Sequence, residues 1–259
     1  MKNLTKALLG AMATASALAG TARAEDAPTF TMSAAVAVQS DYRFRGISQN
    51  DKEPAPQATI NISGPEGFYV GTWWSKTNWG LAGTGSPSYE ADFYFGKHTD
   101  FFGLGDLNTQ AYFYTYPDAR TQGVANKNAT FMEFITTFSH VFGPLTMNAT
   151  WAYSPMFTLG GGNSNYINGN AVWAVNDWLS LSGTVGHQWA QAAKTFGSTD
   201  YTHYDIGGTV TYKSLALDIR YVDTDLSKAS CSAFWMATNN ACGGTAMATL
   251  TYNISSFPW

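Results

Sequence analysis

The feature that most constrains this chain is a two-residue hydrophobic period that returns twelve times. In residues 32–44, Met32, Ala34, Val36, Val38, Tyr42 and Phe44 form one set, apolar except for Ser40 in its middle. Ser33, Ala35, Ala37, Gln39, Asp41, Arg43 and Arg45 form the other. A β-strand sends two such sets to opposite faces. The same pattern returns in 57–63, 68–75, 89–96, 107–114, 132–138, 145–154, 166–175, 179–189, 203–212, 215–221 and 246–254. The connections after the odd strands are long and polar, and those after the even strands are mostly short turns, 98–105 being the longest. An even number of strands and alternating long and short connections define the layout of an outer-membrane barrel. The predicted fold is therefore all-β: an antiparallel transmembrane β-barrel of about 12 strands in an up-and-down meander, with both chain ends on the periplasmic side. A secreted β-sandwich or jelly roll is the alternative fold, but it would not produce the long–short rhythm.

The chain begins with Lys2 and Lys6, a run of small and apolar residues over 7–20, and Ala22-Arg23-Ala24. This pattern predicts a secretory signal peptide over 1–24 and a barrel domain over 25–259. Without the three basic residues of the signal, 11 basic and 18 acidic residues remain, a net charge of −7. Nothing in that balance suggests a nucleic-acid partner. Cys231 and Cys242 are the only cysteines. Export makes a disulfide between them the expected state, and no His lies close enough to complete a metal site.

In a membrane barrel the apolar set faces lipid and the small polar set faces the lumen. Tyr42, Phe44, Trp74, Tyr89, Phe95, Trp151, Tyr153, Trp173, Trp189, Tyr212, Tyr221 and Tyr252 fall near strand ends, where aromatic girdles sit at the headgroups. The predicted lumen-lining residues are Asp41, Arg43, Arg45, Glu90, Asp92, Glu133, Asp205, Asp218 and Arg220. Six acids against three bases favour a mild cation preference or a closed, salt-bridged interior. If 40–46 is the upper end of the first strand, Asp41, Arg43 and Arg45 lie beside Thr249, Thr251 and Asn253 of the last strand. That strand offers no acid, so the arginines must pair with Asp41, with acids across the lumen, or with water. Trp259 is the expected terminal aromatic read by the barrel-assembly machinery, although Pro258 breaks the alternation.

A hydrolase needs a His with a nucleophile and an orienting partner. His98 falls in a short connection, and His140 and His187 lie on the outward set. His203 lies beside Asp205 on the inward set and reads as a hydrated rim pair. No G-x-S-x-G, H-E-x-x-H or phosphate loop is present. No catalytic residue, cofactor or metal is predicted, and the chain is not read as an enzyme.

Residues 40–49, S-D-Y-R-F-R-G-I-S-Q, followed by Pro54 to Gln57 as P-x-x-Q, resemble the TorF-like porins, bacterial outer-membrane proteins formerly of unknown function. The resemblance implies an outer-membrane barrel with a role in small-solute passage, and supplies no catalytic residues. Three functions follow, in order of preference. The first is a porin-like channel for passive diffusion of small polar solutes or ions, embedded in outer-membrane lipid. The second is a structural or adhesion barrel with a closed lumen, making contacts through the Cys231–Cys242 loop with Phe234 and Trp235. The third is an outer-membrane hydrolase. Solute identity and oligomeric state are not encoded in the alternation.

Overall fold

The computed structural model describes residues 30–79, 86–119, 129–195, 197–235 and 240–258. The predicted signal peptide and Trp259 lie outside the described residues. Twelve antiparallel strands close into one barrel: β1 (Thr31–Gln39), β4 (Ala55–Ser63), β5 (Phe68–Lys76), β6 (Tyr89–Asp100), β7 (Asp106–Tyr114), β8 (Phe131–Phe142), β9 (Leu145–Ser154), β10 (Ser164–Ala174), β11 (Leu179–Ala190), β12 (Tyr201–Tyr212), β13 (Leu215–Thr224) and β14 (Thr245–Pro258). Every strand pairs with its neighbour in sequence, and β1 closes the barrel against β14. Two further strands, β2 (Arg43–Phe44) and β3 (Ile47–Ser48), pair only with each other. All twelve predicted barrel strands are present, and the long and short connections gather at opposite rims.

The alternation sorts residues as the period requires. Val36, Phe95, Trp151, Ile206 and Leu250 are exposed on the outer wall, while Glu90, Asp92, Glu133 and Gln188 are buried on the inner face. Closure is what permits this inversion. With no free edge in the barrel, the backbone is satisfied by its neighbours, and the polar side chains gather inside. Trp74, Tyr89, Trp173, Trp189, Tyr212 and Tyr221 are exposed on the outer wall near strand ends, as expected for a girdle, while Tyr252 is exposed at the middle of β14.

Three strand assignments need correction. The first strand ends at Gln39, so Tyr42 and Phe44 do not belong to the outer girdle; Tyr42 is buried. Its partners on β14 are Asn253 for Ala35, Thr251 for Ala37 and Thr249 for Gln39, and not the charged residues 41–45. His98 lies within β6, which runs through Asp100, so the connection to β7 is shorter than the sequence suggests. The reason is local: His98 leans on Tyr69, with centroids 5.2 Å apart and the rings tilted by 40°, and its Nδ1 lies 2.8 Å from Asp106, which holds the polar end of the hairpin in register. The last strand continues through Pro258, taking up a register irregularity between Met32 and Ala34 of β1.

Two glycines between β5 and β6 are set by close approach. Tyr69 pairs with Gly96, and Gly71 pairs with Tyr94. Each ring lies over the glycine opposite: a Cβ on Gly71 would sit 2.4 Å from Tyr94, and one on Gly96 would sit 2.5 Å from the Tyr69 hydroxyl. Covering a strand glycine with a cross-strand aromatic ring fixes register. Gly71→Val is expected to destabilise the barrel by about 1–3 kcal/mol through overpacking. A lowered denaturant midpoint in unfolding from detergent micelles is the check; an unchanged midpoint would show that Tyr94 gives way freely.

Candidate channel lumen

Residues 40–54 turn into the barrel. Arg43 faces Ser48 and Phe44 faces Ile47, leaving Arg45 and Gly46 as a two-residue turn. Both turn residues take positive φ, 49° and 86°, the requirement of the type I′ turn that suits a tight hairpin. Glycine is also demanded by space at position 46, where a Cβ would lie 2.7 Å from both His203 and Thr224. The hairpin base is tied by its own side chains. Asp41 accepts from the Ser48 hydroxyl at 2.6 Å and from Arg43 Nε at 2.8 Å, and Asn50 Oδ1 accepts from the Tyr42 amide at 3.0 Å.

The hairpin reaches from the β1–β4 wall to the opposite side of the barrel. Arg45 there donates to both carboxylate oxygens of Glu133 on β8, at 3.0 and 2.6 Å, and to Gln188 Oε1 on β11 at 2.5 Å. Its guanidinium stacks 3.9 Å from the Tyr166 ring centroid and 4.6 Å from that of Phe44. The Tyr201 hydroxyl donates to the Arg45 carbonyl. Burial alone would favour loss of the Arg45 proton, but the Glu133 carboxylate more than compensates and raises its pKa.

An aromatic wall flanks this crossing. Tyr94 stacks on Tyr112, Tyr112 leans on Tyr114, and Tyr114 stacks on Phe131 and meets Phe44 edge-on. Tyr112 and Tyr114 lie two residues apart on β7, a spacing that puts them on one face, but their stacking with Tyr94 of β6 depends on register. Glu90 accepts from the Tyr42 and Tyr116 hydroxyls at 2.9 and 3.0 Å. Burial, and after it Glu90, hold both phenols protonated well above the usual range, which keeps them as donors. Asp92, also buried on β6, is reached by the Thr115 amide.

The remaining predicted site residues form a separate cluster on β12 and β13. Arg220 donates to Asp205 at 2.8 Å and to both oxygens of Asp218 at 2.5 and 2.8 Å; Thr209 also donates to Asp218. His203 bonds Tyr166 at 2.7 Å, while Asp205 is held by Arg220, so the two do not form the pair their spacing suggested.

The Cys231–Cys242 disulfide is formed. Its loop lies against the hairpin: the Ser48 amide donates to the Ala241 carbonyl, and Arg43 donates to the Gly243 carbonyl at 2.9 Å. Ile47 packs with Tyr201, Ala241 and both cysteines. Cys231 and residues 241–243 of this long connection thus act as a clamp on the hairpin base.

The sequence matches, over residues 23–256, the family described as bacterial protein of unknown function (Gcw_chp). The chain belongs to the Gcw_chp family. Among solved structures, this Gcw_chp member is similar to the NanC porin, with a TM-score of 0.55 and 8% identity over 85% of this chain and 100% of that one. It is similar to the KdgM porin in complex with disordered oligogalacturonate, with a TM-score of 0.55 and 6% identity over 87% of this chain and 99% of that one. These likenesses show a shared porin fold. No curated protein matches the sequence at a significant level.

Two outcomes follow from this geometry. Arg45→Ala leaves Glu133 buried without its cation and should destabilise the protein by about 3–5 kcal/mol, read as a lowered unfolding midpoint. Replacing both cysteines by Ser opens a short loop, for which the loss is about 3 kcal/mol by loop entropy. Because that loop clamps the hairpin base, amide exchange at Ser48 should quicken in this variant more than exchange in β8; equal acceleration everywhere would contradict the clamp.

Proposed function

We propose that this protein is an outer-membrane channel through which small polar solutes or ions diffuse passively, narrowed by the inward hairpin. The single observation that carries this reading is a closed, porin-like barrel whose first long connection crosses the interior and is tied to the far wall. The apolar outer wall faces outer-membrane lipid, the long-loop rim faces outward, and the short-turn rim faces the periplasm. Assignment to the TorF-like porins fits the same reading, as does export by the N-terminal signal and recognition of Trp259 by the barrel-assembly machinery.

Glu90, Asp92, Glu133, Asp205, Asp218 and Arg220 line the wall, and Asp41, Arg43 and Arg45 line the hairpin. Acids outnumber bases, and each of the three arginines has a carboxylate partner. In a narrow lumen that surplus favours cations over anions. The chain is not an enzyme on this reading.

The Arg45–Glu133 tie also favours a second reading, a structural barrel whose long-loop half is closed. Planar-bilayer recording separates the two. Native protein should give discrete conductance steps with a reversal potential that favours cations. Replacing residues 41–49 by a short Gly-Ser linker should raise the step size several-fold, because it removes the crossing. A bilayer that stays at background with both proteins would sink the channel reading; steps only with the linker variant would establish a closed native barrel.

A further inference from the structure

One row of inward side chains runs across six consecutive strands. Ser139 on β8 donates to Asn148 Oδ1 on β9 at 2.7 Å. Asn148 Nδ2 donates to Asn170 Oδ1 on β10 at 2.9 Å, and Asn170 Nδ2 donates to Thr184 Oγ1 on β11 at 3.0 Å. Thr184 lies directly opposite Asp205 on β12, which accepts from Arg220 on β13. Ser139, Asn148, Asn170 and Thr184 lie directly opposite one another in successive strand pairs. The row lies toward the short-turn side of the Arg45 crossing. Its four neutral members are half-buried, whereas Glu133 and Gln188 at the crossing are fully buried.

The chemistry left over in this row is specific. An amide offers two N–H donors and an oxygen with two lone pairs, and a hydroxyl offers one donor and two lone pairs. Asn148 spends one donor and one lone pair on its neighbours. Asn170 spends donors on Thr184 and on the Gly183 carbonyl. Thr184 accepts from Asn170 and stands opposite the Asp205 carboxylate. The row therefore keeps a set of spare oxygen acceptors, with few donors beside them: one N–H on Asn148 and the Thr184 hydroxyl. The adjoining Arg220 adds little to the donors, since four of its five N–H groups are already used. It bonds Asp205, Asp218 and Ser182, and its charge is exceeded by the two carboxylates it holds.

From this row we infer a binding site for neutral polyhydroxylated solutes, that is, uncharged sugars. Their hydroxyls donate to the spare acceptors and accept from Asn148, at several positions in series around the wall. A carboxylated sugar would meet acceptors and a net negative cluster, with little to hold its charge. The proposal rests on the channel reading only for how the solute arrives; binding itself can be measured without conductance.

The test is titration calorimetry of the refolded full-length protein in detergent micelles, using maltotriose and trigalacturonate as probes. Maltotriose should bind at least tenfold more tightly than trigalacturonate to the native protein. Asn148→Leu combined with Asn170→Leu should lose about tenfold in maltotriose affinity, the worth of one to two hydrogen bonds. The comparison of two ligands on native protein stands even if the variant fails to refold. Equal affinities, tighter binding of trigalacturonate, or no maltotriose binding would overturn the site. Bilayer recordings on the same preparation separate the two ideas: conductance without sugar preference removes the site and keeps the channel, and sugar binding with a silent bilayer does the reverse.

Discussion

The bond between Arg45 and Glu133 sets the form of the interior. A buried carboxylate on β8 needs a cation, and no residue of the neighbouring strands supplies one. The cation comes instead from the tip of a hairpin on the other side of the barrel. Placing it there requires positive φ at a non-glycine residue, which costs about 1–3 kcal/mol. Leaving Glu133 without its partner would cost about 3–5 kcal/mol. The ion pair is the larger quantity, and Gln188, Tyr166 and the Tyr201 hydroxyl add to it. The strained turn is therefore stable where it sits.

Much else follows from that crossing. The hairpin enters the long-loop half of the lumen, so the aromatic wall from Tyr94 to Phe131 has Phe44 to pack against. Tyr42, carried at the hairpin base, gives Glu90 a donor in place of a cation. The disulfide packs against the base through Ile47, Ala241 and both cysteines. Below the crossing the interior changes character and becomes a belt of half-buried amides and hydroxyls. The barrel thus has an aromatic half crossed by the hairpin and a polar half.

The barrel itself was legible in the sequence, because a period of two is fixed by the pleat and needs no tertiary information. The alternation of long and short connections, and the outward aromatics such as Trp151 and Tyr252, came with it. The hairpin was not legible as a hairpin. Asp41, Arg43 and Arg45 alternate with Tyr42 and Phe44, so the strand pattern runs on past the true end of β1. Ser40 was the signal that could have stopped it: a polar residue in the outward apolar set, one position beyond Gln39. Gly46 after an arginine was the second signal, since a two-residue turn wants positive φ at both sites. The pairing of Arg45 with Glu133 spans 88 residues and depends on barrel closure, so no local pattern could give it. The amide row was hidden for the same reason: Asn148, Asn170 and Thr184 become neighbours only through register.

The central claim is that residues 40–49 cross the lumen as an ordered, anchored hairpin. Hydrogen exchange resolved to single amides tests it most directly. The amides of Tyr42, Ser48 and Gln49, which donate to Asn50 Oδ1 and to the Ala241 and Tyr42 carbonyls, should be protected to the same degree as those of β8. Exchange at those three positions as fast as in an exposed loop would contradict the account.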